Sequence, residues 1–263
     1  MKNKRSVSLL SLKDLSKLDE FLRLIKLNGI NYIELPITKI LPNYELDKKK
    51  INIFLNKISK HKIKVSSIQA IFYKKKFNLL NIKDHTKIVN HIKKIILIAK
   101  LLKANNIIFG SPKNRIKGNI SNKEAFKILK NLLIKIEIKL IKNNILFCIE
   151  PNSKHYGCDF IINSLDALEF IHYSKIKNLA INFDTGNALL EKDKIKILKK
   201  NIKYFKNFQI SEKNLTGLKN DLNKHKKLLK QFDIKKNFIS LETLNLDLKE
   251  IEKNIKLFKS ITN

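Results

Sequence analysis

Several short apolar runs in this 263-residue chain end in acids or amides. Ile145–Ile149 leads into Glu150-Pro151-Asn152, and Leu179–Phe183 into Asp184-Thr185-Gly186-Asn187. Phe205–Ile210 carries Gln209 and runs into Ser211-Glu212, and Phe238–Leu241 is followed by Glu242. Earlier in the chain, Glu34 sits in Ile33-Glu34-Leu35-Pro36 and Gln69 follows Ile63–Ile68. Asn106–Phe109 runs into Gly110-Ser111-Pro112-Lys113-Asn114-Arg115. Three acids brought together repel one another unless a shared proton or a divalent cation lies among them. An all-oxygen donor set selects a hard ion such as Mg²⁺ or Mn²⁺. Taken singly these signals are weak, because Asp or Ser after a strand commonly caps a helix and Gly-Ser-Pro commonly turns the chain.

The elements that would position these residues alternate along the whole chain. The β-like runs are Ser6–Leu12, Tyr32–Leu35, Ile63–Ile68, Asn106–Phe109, Ile145–Ile149, Leu179–Phe183, Phe205–Ile210 and Phe238–Leu241. Lys-rich amphipathic stretches lie between them, among them Leu15–Leu27, Lys87–Leu102, Lys123–Lys142, Ser164–His172 and Asp221–Gln231. Ile88, Ile92, Ile95, Ile96 and Ala99 recur at steps of three and four, which makes one helix face. Eight strands with intervening helices fit a closed parallel (β/α)8 TIM barrel, although a doubly wound open sheet shows the same alternation. No Gly-, Pro- or Ser-rich linker divides residues 1–263, so one α/β domain is expected. In a barrel, residues at successive strand ends point toward a common axis, and that is where barrel chemistry sits.

Composition limits the partners. A formal charge of +32 suggests a polyanion, yet the lysines are spread over nearly every segment. Only Arg5, Arg23 and Arg115 are arginines, and aromatics do not interleave with the basic residues as in a base-stacking surface. No specific nucleic-acid partner is expected. No run approaches a membrane span, and the basic N-terminus leads into a stretch too polar for a signal peptide. Cys148 and Cys158 build no disulfide framework, which points to a reducing, cytoplasmic setting. Cys148 reads as strand packing and Cys158 as an exposed loop residue. The six histidines read mostly as solvated, with His155 and His225 the two able to approach a barrel mouth.

Taken together, the motifs resemble the sugar phosphate isomerase/epimerase family of the xylose-isomerase-like TIM barrel superfamily. The resemblance rests on Gly29–Leu35 with Thr38–Pro42, Ser67-Ile-Gln69-Ala and Ile108–Arg115. It continues through Ile149–Asn152 with Tyr156-Gly157 and Asp159-Phe160, then Phe183–Asn187, Ile210–Glu212 and Ile239–Glu242. It implies a small sugar or sugar phosphate as substrate. Glu150 and Glu242 would act as base and acid through an enediolate, and Glu150, Asp184 and Glu242 would hold a divalent metal, Mn²⁺ or Mg²⁺. It further implies sugar-hydroxyl contacts from Glu34 and Gln69, and anion contacts from Lys113 and Arg115, since Arg offers a planar fork to phosphate or carboxylate. Asn152, Asn187 and Glu212 complete the expected substrate set. The chain departs from the family where a histidine ligand on strand seven is replaced by Gln209, whose carbonyl holds a hard cation but binds transition metals less well than imidazole. Asn187 stands near a second missing histidine. A non-catalytic sugar-binding relative is therefore the second reading. A third is a phosphodiesterase like the apurinic-site endonucleases, which share the barrel but carry a histidine-rich, multi-zinc site. Relatives on this fold often pair, so a homodimer is an open expectation.

Overall fold

The computed structural model describes residues 4–219, 222–232, 234 and 236–262. Eight strands, β1 (Lys4–Ser8), β2 (Tyr32–Pro36), β3 (Lys64–Gln69), β4 (Asn106–Phe109), β5 (Leu146–Ile149), β6 (Leu179–Asp184), β7 (Phe205–Ile210) and β8 (Phe238–Leu241), pair in sequence order. All pairs are parallel, and β1 closes the sheet against β8 through Lys4↔Phe238 to Val7↔Leu241. That last pairing makes the structure a barrel instead of an open sheet.

The helices outside the barrel are α1 (Leu18–Leu27), α2 (Lys48–Lys60), α3 (His85–Leu101), α4 (Asn122–Lys142), α5 (Ser164–Ser174), α6 (Thr185–Leu190), α7 (Ile195–Lys199), α8 (Leu222–Leu229) and α9 (Leu248–Thr262). Side-chain caps start several of them, because the first helical N–H groups have no partner within the helix. Asp47 accepts from Lys50 N, Ser121 from Glu124 N and Asn163 from Asp166 N. The expected α3 face is buried at all five positions, Ile88, Ile92, Ile95, Ile96 and Ala99. Burying each large aliphatic side chain stabilises the fold by roughly 1.5–3 kcal/mol, which is what holds Lys-rich helices on the sheet. Among the described residues, no helix is long and apolar enough to cross a membrane.

Four local readings change. The first strand ends at Ser8, because Ser8 turns the chain by accepting from Leu10 N at its hydroxyl and from Ser11 N at its carbonyl. Leu12 retains only an isolated bridge to Leu246. Asp221 lies outside the described residues, and the helix expected there runs over Leu222–Leu229. His85, His91 and His225 are buried, since their polar ring atoms find partners inside; the first two meet the carbonyls of Leu79 and Ile71. Cys158 is buried as well, its Sγ donating to Phe160 O, and Cys148 is buried as expected.

The barrel interior is unusually polar. Barrel layers are commonly Val, Ile and Leu, but Ser67, Asn106, Asn182, Asn207, Gln209 and Ser240 are buried here. Buried amides need partners, and these chain together. Asn106 Nδ2 donates to Asn207 Oδ1 at 3.2 Å, and Asn207 Nδ2 to Asn182 Oδ1 at 2.8 Å. Register irregularities occur between Ile33 and Glu34 on β2 and between Ile181 and Asn182 on β6. Such irregularities re-aim side chains next to sites, and each lies immediately before a polar residue of this interior.

Candidate functional site

The strand C-terminal ends place Glu150, Asp184 and Glu242 on one cavity of about 440 Å³. Lys113, Asn152, His155, Tyr156, Asn187 and Ser211 share its wall. Asp184 and Glu242 come from β6 and from directly after β8, and Glu150 from directly after β5. The neighbouring backbone is shaped for this approach. A Cβ on Gly110 would stand 3.0 Å from Glu150 Oε1, so the residue after β4 leaves room for the acid of the next strand. A Cβ on Gly186 would meet Ser211 Oγ at 2.5 Å and Ser211 O at 2.7 Å, so α6 can lie against the end of β7 only without a side chain there.

Each acid has a distinct set of partners. Glu150 Oε1 accepts from Asn152 Nδ2 at 2.8 Å and Oε2 from Asn182 Nδ2 at 3.2 Å. Asp184 Oδ1 accepts from Asn187 N at 2.6 Å and from Ser211 Oγ at 2.9 Å, whereas its Oδ2 is buried without a partner among the described residues. Burial pushes the Glu150 carboxyl up to about 8, and the Asp184 charge adds to this. Glu242 is also raised well above the ordinary range, first by burial and then by Glu150, Glu34 and Asp184. Burial raises Asp184 too, against the donors Asn187 N–H and Ser211 that favour its ionised form. Such a cluster retains protons that exposed carboxylates would have released, because the charged forms are both desolvated and mutually repelled.

The other expected residues are placed as follows. Lys113 is exposed at the rim. Asn187 lines the cavity, but its amide is engaged by the loops: Ser153 N donates to Oδ1 and Nδ2 donates to Ile162 O. Glu34, Gln69, Gln209, Arg115 and Glu212 are not in the wall. Glu34 is fully buried, and burial raises its carboxyl; Ser67 Oγ and Gln209 Nε2 donate to its two oxygens, each at 2.7 Å. Gln209 thus spends its amide nitrogen on Glu34, and its Oε1 accepts from Asn182. Gln69 donates to Ser8 Oγ at 2.6 Å and reaches the Glu242 carboxylate. Glu212 faces the buried His225, which also meets Thr185 Oγ1 at 2.8 Å. Arg115 is wholly buried behind Glu150.

Asn182, Tyr156 and Ser211 were not among the expected site residues; of the two histidines expected near the barrel mouth, His155 lines the cavity and His225 does not. Strand parity exposes Asn182, since it lies two residues before Asp184, as Asn207 does before Gln209, and residues two apart share a face. An all-oxygen donor set and the unpartnered Asp184 Oδ2 fit a hard cation in chemistry. Among the described residues, however, no three His, Cys, Asp or Glu side chains are close enough to hold an ion as they stand. The carboxylates would have to draw together around one.

Comparison with known proteins places this geometry in a wider setting. The family model for xylose isomerase-like TIM barrels matches residues 22–261. No curated protein matches the chain. Among solved structures, 3-keto-D-glucoside 4-epimerase YcjR from E. coli superposes with a TM-score of 0.76 at 13% identity, covering 99% of both chains. An AP endonuclease, family 2, from Brucella melitensis gives 0.78 at 14% identity over 99% of this chain and 100% of that one. The IolI protein with a bound zinc atom gives 0.73 at 18% identity over 98% and 96%. At these identities the likeness is one of fold. With a family match spanning nearly the whole chain, a closed eight-stranded barrel and acids at its strand ends, the protein belongs to the xylose isomerase-like TIM barrel family.

Proposed function

We propose that this protein is an isomerase or epimerase of a small sugar or sugar phosphate. The observation that carries the reading is one cavity at the strand ends in which two glutamates, the half-buried Glu150 and the buried Glu242, hold protons more tightly than ordinary carboxyls. A general acid–base pair works best with proton affinities near the working pH, and a carboxyl near 8 can return a proton at neutral pH. One glutamate removes the proton next to the sugar carbonyl, and a glutamate returns it to the opposite face or to the neighbouring carbon. The first outcome is epimerisation and the second is aldose–ketose isomerisation. Asn152 steadies Glu150 through its Oε1 during this exchange, and Lys113 at the rim offers a charge to a substrate phosphate. A divalent cation, Mg²⁺ or Mn²⁺, would be held by Glu150, Asp184 and Glu242 and, once Asn182 releases it, by Gln209 Oε1. When bound it would polarise the carbonyl and its adjacent hydroxyl.

The test is solvent deuterium incorporation into ketoses and ketose phosphates, followed by NMR with Mn²⁺ or Mg²⁺ and then with chelator. Exchange that disappears in Glu150→Gln and Glu242→Gln supports the reading. The engagement of both ends of the Gln209 amide favours a second reading, a sugar-binding relative without catalysis. Sugar binding without proton exchange would replace the first reading by that one.

A further inference from the structure

Arg115 is the largest fully buried side chain that carries a charge. Its guanidinium lies over the Phe109 ring, with Cζ 5.5 Å from the centroid. Nη2 donates to Glu150 O at 2.7 Å and to Asn152 Oδ1 at 2.8 Å, while Nε and Nη1 meet no acceptor among the described residues. Burying a cation with two donors unsatisfied weighs against stability, so packing alone does not account for it. The segment carrying it is tied down from the other side. Asn114 Nδ2 donates to Lys75 O and Phe77 O, and Leu79 N donates to Asn114 O.

The contact with Asn152 has a direction. A carboxamide presents an acceptor at one end and donors at the other. Because Arg115 can only donate, it turns Asn152 Oδ1 toward itself and so turns Nδ2 toward Glu150 Oε1, at 2.8 Å. Without the guanidinium the Asn152 amide is free to flip and to set an oxygen against the Glu150 carboxylate.

We propose that Arg115 is a positioning residue that fixes the orientation of the Asn152 amide and thereby the aim of Glu150 into the cavity, and that it does not grip a substrate anion. As a positioning role in catalysis this rests on the proton-transfer reading above. Partners that orient an active group typically change activity 10- to 100-fold when removed. Arg115→Met is expected to lower kcat for deuterium exchange by roughly that factor with KM unchanged, and Arg115→Lys to recover part of it.

A measurement free of substrate accompanies the kinetics. The side-chain ¹⁵N–¹H resonances of Asn152, identified by their loss in Asn152→Asp, should shift in Arg115→Met and return toward the original position in Arg115→Lys. Circular dichroism melts show that each variant is folded, and Arg115→Gln replaces Arg115→Met if the latter is not. An unmoved Asn152 resonance overturns the proposal. A KM increase confined to phosphorylated ketoses, with kcat unchanged, also overturns it, because that marks an anion grip. If the unaltered protein exchanges no proton on any ketose, the functional reading falls, and the Asn152 resonance alone then decides whether Arg115 orients that amide.

Discussion

Glu150 gives the sharpest test of the electrostatics of this site. Its carboxyl has an ordinary value of 4.5 and is raised to about 8 in the fold, first by burial and then by the Asp184 charge. A group whose folded value is raised takes up a proton on folding. Its stabilising contribution is therefore greatest below the unfolded value and is lost as pH rises through the window from 4.5 to about 8. One unit corresponds to about 1.4 kcal/mol, so the full excursion is worth about 5 kcal/mol as an upper bound. By the same linkage, about 3 kcal/mol of it falls between about pH 5.5 and about pH 9. Glu150→Gln keeps the shape and removes the titration, but it turns an amide N–H₂ toward Asn152 or Asn182, both of which donate to Glu150. That penalty does not depend on pH, so the informative quantity is the change in stability between the two pH values, compared across the two proteins. Contributions from His85 and His91, whose proton affinities are lowered by burial, cancel in the comparison. Relief of repulsion on Glu242 enlarges the difference without reversing it. Urea unfolding of both proteins at the two pH values measures it. The original protein should lose about 3 kcal/mol more than Glu150→Gln on going to high pH, and parallel pH dependences would refute the argument.

Three further outcomes follow from the geometry. Glu150→Gln and Glu242→Gln should each lower deuterium exchange into a reacting sugar by about 10²- to 10⁴-fold, read by NMR; exchange at the original rate in either variant would remove that glutamate from the proton transfer. Gly186→Ala forces a Cβ against Ser211, whose hydroxyl holds Asp184, and should lower stability by about 1–3 kcal/mol in urea unfolding. A fall of only a few tenths of that would mean α6 and β7 are less tightly packed than described. Mn²⁺ at about 100 times its dissociation constant should stabilise the protein by about 2.7 kcal/mol, an effect that chelator reverses. Asp184→Asn should abolish it, because Asp184 Oδ2 is a buried carboxylate oxygen with no partner among the described residues; an undiminished effect in that variant would place the ion elsewhere.

The eight strands and the acids at their ends were legible in the linear sequence. Strands are written as short apolar runs, and a polar residue at the end of such a run needs no tertiary information to be noticed. The convergence of Glu150, Asp184 and Glu242 was also legible once a barrel was assumed, because parallel strands in sequence order bring successive ends to one mouth. Closure itself was not: alternating strands and helices serve an open sheet equally well, and only the β1–β8 pairing separates the two. Nor did the sequence show the inner layer. Asn182 lies inside an otherwise apolar run and Gln209 inside one that also carries Lys206 and Asn207, and their partners sit on other strands, brought opposite by registers that shift at Ile33/Glu34 and Ile181/Asn182. The same holds for Arg115. Its residue type suggested an anion in a loop, whereas the turn after β4 carries it inward, over the Phe109 ring and behind Glu150. Periodicity records which face of an element is apolar, and it decided the elements and the mouth of the barrel here. The partner of a buried donor or acceptor depends on how distant strands are staggered, and that was decided only when the barrel closed.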